Sequence, residues 1–372
     1  MSWSPQQEAA LKAVKAWLAD PNGPQVFRLF GFAGSGKTTL AKEMANDVRG
    51  EVLYGAFTGK ASLVLRKKGC TGASTIHSMI YKPIEDPVTG LTEFRLNPDS
   101  GVAFAKLIII DEVSMVGEDL ALDLLSYGTR VLVLGDPAQL PPVKGEGYFI
   151  NATPDVMLTE VHRQAADNPI IRMSMDVREG RGLKLGSYGD SQVIARSSIT
   201  KEAMRELVIG ADQLLCGMNK TRQAFNARIR EIDGNLGFHA GYHPVPGERL
   251  VCLKNNREKG LLNGGLWETV TCSYANGSVH MAVKSLDEPE LGCVQVSVPQ
   301  EFFNGTEKLL DWKVLKRADQ FTYGRALTVH KSQGSQWDNL LLFDESSVFR
   351  QDAAKHQYTG ITRAAERITV VV

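Results

Sequence analysis

Apolar residues gather along this chain into short unbroken runs, separated by polar stretches with helical patterning. The runs are Gln25–Phe30, Val52–Phe57, Leu107–Ile110, Val131–Leu134, Gln213–Cys216, Leu340–Phe343 and Ile368–Val372. They are continuous rather than alternating, as in strands buried on both faces. Alternation of such strands with helices predicts parallel sheets covered by helices on both sides. Four runs precede residue 150 and three follow residue 210. The expected fold class is therefore α/β, with two domains.

Two stretches break the rhythm. Residues 82–104 are rich in turn formers around a strand-like Thr92–Leu96, which predicts a β-hairpin inserted into the first domain. Residues 238–320 lose the α/β pattern. Short pieces there (Arg249–Leu253, Glu268–Cys272, Val279–Val283, Val294–Val298) are separated by Gly, Asn and Pro. That predicts a small antiparallel barrel or sandwich inserted into the second domain. At the start of the chain, Ser4, Pro5 and Gln7 have the spacing of a capping box with Pro at the first helical position.

Composition narrows the picture. The chain has 372 residues, 43% hydrophobic and 23% charged, an ordinary globular balance with room for about two to three domains. Its 42 basic and 42 acidic residues give a net charge of +0. This excludes a polycation that binds nucleic acid by bulk charge, and leaves a local basic groove open. The five cysteines, Cys70, Cys216, Cys252, Cys272 and Cys293, form no C-x-x-C pair. Neither a zinc knuckle nor an iron–sulfur cluster is expected, and reduced thiols fit a cytoplasmic protein. The polar start MSWSPQQEAA does not read as a leader. No apolar run nears the roughly 18 residues of a membrane span, so no membrane partner is expected.

The chemistry concentrates at strand ends. Gly31–Thr38 reads GFAGSGKT and sits between a strand-like and a helical run (Leu40–Val48). It fits the phosphate-binding loop of nucleoside triphosphatases in the context that loop needs. Gly31, Ala33, Gly34, Ser35 and Gly36 would turn main-chain N–H groups toward phosphates, with Thr39 in the first helical turn. Lys37 would reach the outer phosphates and Thr38 would bind Mg²⁺, so ATP and Mg²⁺ are the expected cofactors. Asp111 and Glu112 follow the next buried run, in LIIIDEVSM. There Asp111 would hold the metal, and Glu112 would orient and deprotonate the attacking water. Gln139, in GDPAQLPPV after a further strand, would hydrogen-bond the γ-phosphate in a loop stiffened by Pro137, Pro141 and Pro142.

At this point a family resemblance emerges. The chain resembles a superfamily 1 DNA helicase of the RecD/Dda-like branch, superfamily 1B. GFAGSGKT, DEVSM and GDPAQLPPV are similar to that family's motifs I, II and III. AFTGKAS (Ala56–Ser62) and STIHSM (Ser74–Met79) resemble motifs Ia and Ib. LTEVHRQ (Leu158–Gln164), ALTVHKSQGSQWD (Ala326–Asp338) and YTGITRA (Tyr358–Ala364) resemble motifs IV, V and VI. The resemblance runs in family order from end to end.

It implies two RecA-like P-loop domains: residues 1–155, carrying a pin hairpin at 82–104, and residues 156–237 with 321–372. Residues 238–320 would be an SH3-like β-barrel insertion. Arg163 and Arg363 would be arginine fingers from the second domain, where guanidinium suits charge spread over a transferring phosphoryl group. Gly334 and Gln336 would approach the nucleotide. Gln7 matches the family's adenine-reading glutamine, and a capping role competes for it.

The implied DNA track runs through Thr58, Lys60, Thr75 and His77 in one domain. In the other it runs through Asn219, Arg222, Thr328, His330 and Lys331. Hydroxyls, amides and imidazoles suit phosphate oxygens without reading sequence. Without the resemblance, His77 and His330 read as buried capping residues. Phe94 is either an aromatic wedge for the duplex or a ring packing the hairpin onto its domain.

The expected activity is ATP-dependent 5′–3′ movement on single-stranded DNA with unwinding of duplex. Expected partners are single-stranded DNA and single-strand/duplex junctions, and beyond them a single-strand-binding or replisome protein; a monomer is expected. The competing reading is a DNA-stimulated ATPase that acts as a switch or assembly subunit without strand separation. A nucleotide kinase is disfavoured, because it needs a lid and an acceptor site rather than two arginine-bearing motifs in a second domain. With Val372 inside the last expected strand, no appended nuclease is expected.

Overall fold

A computed structural model describes residues 3–85, 92–142, 145–160, 168–235 and 243–372. The first domain is built on a six-stranded parallel sheet. Its order is Ser74–Thr75, Val52–Ala56, Leu107–Asp111, Val131–Gly135, Val26–Gly31, Val156–Leu158. Each central strand serves two cores. Ile108, Ile110, Val131 and Val133 pack on one face with Ile76 and Leu124. Leu107, Ile109, Leu132 and Leu134 pack on the other with Val14 and Leu40. Successive side chains point to opposite faces, so a strand buried on both sides must read as an unbroken apolar run.

The second domain repeats the plan. Its six strands run Ala326–Thr328, Gln213–Cys216, Trp337–Phe343, Ala364–Val371, Ser191–Ile194, Gly186–Tyr188. Only the last pair is antiparallel. Leu340 and Leu342 face one core and Leu341 and Phe343 the other.

Between Gln213–Cys216 and the returning strands lies a five-stranded antiparallel sheet. It is formed by Cys293–Pro299, Ser278–Ser285, Leu266–Ala275, Arg249–Cys252 and Phe321–Tyr323. The expected insertion ended at residue 320, whereas the chain contributes one more strand before returning. Phe321 pairs with Cys252 and is fully buried in the insertion's own core. Tyr81–Glu85 and Thr92–Leu96 pair as an antiparallel ribbon at the first domain; the residues between these strands lie outside the described ones.

The insertion touches the first domain. Lys60 and Lys67 bond Asp287, and Arg66 lies 3.5 Å from Glu288. A Cβ on Gly59 would come within 2.9 Å of Leu262, which requires glycine at this crossing. No helix among the described residues is long and apolar enough to cross a membrane.

Candidate active site

The strands ending at Gly31, Asp111 and Gly135 are neighbours in the first sheet. Their loops therefore meet at one carboxyl edge, where α/β proteins place ligands. Gly34 and Gly36 take φ of 79° and 78°, a conformation natural to glycine. This curls the loop onto the helix Lys37–Asn46, whose amino end has no side-chain cap. The Lys37 ammonium donates to the Gly31 and Phe32 carbonyls at 2.7 and 3.1 Å. Thr38 Oγ1 donates to Asp111 Oδ2 at 2.9 Å. These two hard oxygen donors, side by side, fit a magnesium ion.

Glu112 adopts a left-handed backbone, φ 55° and ψ 47°, at a cost of about 1–3 kcal/mol for a non-glycine residue. Such strain is retained where it aims a functional side chain. Burial raises the Glu112 pKa above the ordinary carboxylate value, and Asp111 adds to the rise; Arg363 and Lys37 oppose it. A carboxyl tuned upward suits a general base.

The second domain closes the cleft from the opposite edge of its own sheet. Gly334 and Gln336 precede the strand Trp337–Phe343, and Arg363 precedes Ala364–Val371. Arg363 is 4% exposed and its Nη1 stands 4.0 Å from Glu112 Oε1. Carbonyls of Thr359 and Ser335 and the Thr362 hydroxyl hold the guanidinium. Gly334 has φ 79°, and a Cβ there would meet Ala61 of the first domain at 2.9 Å.

A cavity of about 330 Å³ results. Its lining includes Ala33, Gly34, Gly36, Lys37, Thr38, Thr39, Asp111, Glu112, Gln139, Gly334, Gln336 and Arg363. Ser35 Oγ and Gln139 Oε1 are buried without hydrogen-bond partners on its two loops. Buried polar atoms without partners are rare; the Gln139 carbonyl oxygen accepts, and so suits a donor such as the attacking water rather than a phosphate oxygen.

Among the described residues, Gly31, Ser35 and Gln7 stand apart from the cavity lining. Arg163 lies outside the described residues. Gln7 completes the capping box with Ser4, and its amide also donates to the Ser35 carbonyl at 3.1 Å. It thus braces the phosphate loop from beneath.

Along the expected track, Ala56 pairs with Thr75 and Cys216 with Thr328. Thr58 and His77 thus follow neighbouring strand ends in one domain. Asn219 and Thr328 stand at equivalent places in the other. Thr58, Thr75 and Thr328 accept from the N–H groups of Ala61, Ser78 and Lys331.

His77 is exposed and its ring lies 4.6 Å from Tyr81 and 4.8 Å from Phe94. Phe94 is 57% exposed. It therefore touches the first domain through His77 and keeps most of its surface open. His330 is half-buried against Phe349. Arg222 is buried with Nε and Nη1 unpartnered, and the Lys331 and Arg222 charges disfavour each other. Two repelling cations with open donors suit a phosphate. Lys60 differs from the expectation. Its ammonium is committed to Asp287 of the insertion, with both side chains largely buried, because the insertion docks on the helix Gly59–Lys67.

Several residues at the cleft carried no readable signal in the sequence. Asp136, Lys68 and Thr362 line the cavity. Arg178 lies over the Phe32 ring at 3.6 Å. Tyr358 bonds the phosphate loop from the second domain. Asp136, Tyr358 and Thr362 lie inside the quoted motifs, yet their spacing alone does not distinguish them from core residues.

Residues 2–198 match the AAA domain family, more than half of the chain, and the chain belongs to that family. Residues 323–371 match the UvrD-like helicase C-terminal domain. Within this class it is a RecD/Pif1-like member of helicase superfamily 1B. It is 29% identical over 370 residues to the ATP-dependent RecD2 DNA helicase of Deinococcus radiodurans, covering 93% of this chain and 46% of the relative. It is 30% identical over 204 residues to the ATP-dependent DNA helicase Pif1 of Bdellovibrio bacteriovorus, covering 48% and 44%. The chain spans less than half the length of either relative. The fold is that of the Bacteroides Pif1 helicase solved with ADP-AlF3 and single-stranded DNA. That likeness has a TM-score of 0.57 at 17% identity, over 99% of this chain and 92% of the other.

Proposed function

We propose that this chain is an ATP-dependent DNA helicase that moves 5′–3′ along single-stranded DNA and separates duplex ahead of it. The observation that carries the reading is the divided nucleotide site. Lys37, Thr38, Asp111 and Glu112 come from one domain, and Arg363 faces Glu112 at 4.0 Å from the other. Such a site is complete only when the cleft is shut.

In this reading the phosphate loop and Lys37 hold the triphosphate, and Gln7, the expected adenine reader, instead braces the loop through the Ser35 carbonyl. Thr38 and Asp111 would hold Mg²⁺, which supplies charge neutralisation at the phosphates. Glu112 takes the proton from the attacking water, Gln139 contacts the γ-phosphate, and Arg363 with Arg163 stabilises the developing charge. Thr58, Thr75 and His77 form one grip on the DNA backbone. Asn219, Arg222, Thr328, His330 and Lys331 form the second. Closure on ATP brings the grips together and hydrolysis separates them. The two halves are RecA-like domains and the five-stranded insertion is SH3-like. The ribbon carrying Phe94 is the pin, with Phe94 at the single-strand/duplex junction. Relatives support the substrate: one is named a DNA helicase, and the Bacteroides Pif1 structure holds single-stranded DNA.

The test is strand separation on duplexes bearing a 5′ or a 3′ single-stranded tail. ATP-dependent unwinding of the 5′-tailed duplex alone is expected. DNA-stimulated hydrolysis without separation on either would instead make the chain a DNA-responsive switch. Shortening the ribbon Tyr81–Leu96 is expected to lower unwinding while sparing DNA-stimulated ATPase; equal loss of both would contradict a pin.

A further inference from the structure

The cleft is tied shut by more than Arg363. Side chains of the second domain satisfy main-chain groups of both nucleotide loops in the first. Thr359 Oγ1 accepts from the Leu140 N–H at 2.9 Å, and Gln333 Nε2 donates to the Leu140 carbonyl at 3.1 Å. The Tyr358 hydroxyl accepts from the Ala33 N–H at 2.9 Å and donates to Asp136 Oδ2 at 2.7 Å. Asp136 uses its other oxygen on the Ala138 N–H at 3.0 Å. Tyr358 is thus the side chain that joins the phosphate loop to the Gln139 loop. It is 1% exposed, and its ring packs in the second domain's core beside Leu140, Ala33 and Ala138. The hydroxyl therefore acts from a fixed point.

The helix that carries it, Ala353–Ile361, has a second contact. His356 stacks on Phe349 at 4.1 Å and lies 6.2 Å from His330, in the motif V turn. One short helix thus meets the nucleotide loops through Tyr358 and the proposed DNA grip through His356. Opening the cleft would withdraw the hydroxyl and leave the Ala33 N–H and Asp136 without it. Packed interfaces of this kind hold discrete arrangements rather than intermediate ones.

We propose that Tyr358 is a positioning residue. Its hydroxyl sets the phosphate loop and the Asp136–Gln139 loop in their turnover geometry when the second domain closes, and so links hydrolysis to the grip on DNA. This rests on the reading of the chain as a DNA-dependent ATPase.

Tyr358→Phe keeps the ring and removes only the hydroxyl. With saturating single-stranded DNA, kcat is expected to fall about tenfold, the scale of the two hydrogen bonds the hydroxyl makes, while the KM for ATP stays within about twofold. Fluorescent MANT-ADP should bind the variant as it binds the wild type, which also reports that the site has folded. Hydrogen–deuterium exchange in the peptide containing Ala33 should be faster in the variant. Unchanged exchange with unchanged kcat would overturn the proposal. So would a KM and a MANT-ADP affinity that weaken as much as kcat falls, since the hydroxyl would then serve nucleotide binding alone. Were the wild type to show no DNA-stimulated turnover, the functional reading would fail. The exchange of the Ala33 peptide under MgADP would still decide whether the hydroxyl holds the loop.

Discussion

The two α/β sheets share one order over five strands, differing at the edge strands Val156–Leu158 and Gly186–Tyr188, but present opposite ends to the nucleotide cleft. The first domain offers the carboxyl ends of its strands, where glycine turns and a helix amino end make a site for anions. The second offers the amino ends, at Gln336 and Arg363, where the charge comes from the Arg363 side chain. At the neighbouring strands the difference vanishes. Ala56 and Thr75 on one sheet, and Cys216 and Thr328 on the other, pair in the same way and lead into the proposed DNA contacts. The lesson is a division of labour: the two sheets offer unlike strand ends to the nucleotide cleft and, in the function proposed, like strand ends to the DNA.

Substitutions at the nucleotide contacts of the first sheet should be severe. Lys37→Ala removes the ammonium that spans the phosphate loop, and ATP turnover should fall by about 10³-fold or more. Steady-state ATPase checks this, and persisting turnover would remove the loop from the site. Glu112→Gln keeps size and loses the base, so turnover should fall by about 10²-fold or more with nucleotide still bound. A single-turnover assay beside MANT-ADP binding separates the two steps.

Away from the cleft, the second sheet also carries a smaller, pH-dependent signature. Burial, and then His330, depress the His356 pKa to about 4 from 6.5, and both ring nitrogens are buried without partners. The unfolded chain then binds the proton more readily than the folded one. Stability is therefore full above about pH 6.5 and declines as pH falls toward about 4, by about 1.4 kcal/mol per pH unit from this residue. Denaturant unfolding of His356→Leu at several pH values should show a shallower decline. An unchanged slope would mean that His356 is not held neutral.

How much of this could be read from the sequence follows the same physics. Strands buried on two faces, such as Leu107–Asp111, announce themselves as apolar runs. Ser74–Thr75 and Ala326–Thr328 are too short to do so, although they form the edges that lead into the track. Phe321–Tyr323 was expected in the second domain because it follows the inserted stretch; pairing with Arg249–Cys252 decides its place. Lys37, Asp111 and Glu112 were legible because their chemistry demands a fixed spacing from a strand end. Tyr358 and Arg178 act across the cleft, and such contacts leave no local period. Lys60 lay in a legible motif, yet Asp287, more than 200 residues away, engages its charge.

The comparison turns on Arg363, the charge that the second sheet supplies and the first lacks. The most direct measurement is single-stranded-DNA-stimulated ATPase of Arg363→Ala, taken beside its affinity for MANT-ADP. A divided site predicts that turnover falls by about 10³-fold while the nucleotide still binds. Turnover near that of the wild type would mean that the first domain hydrolyses ATP alone, and that closure of the cleft does no chemistry.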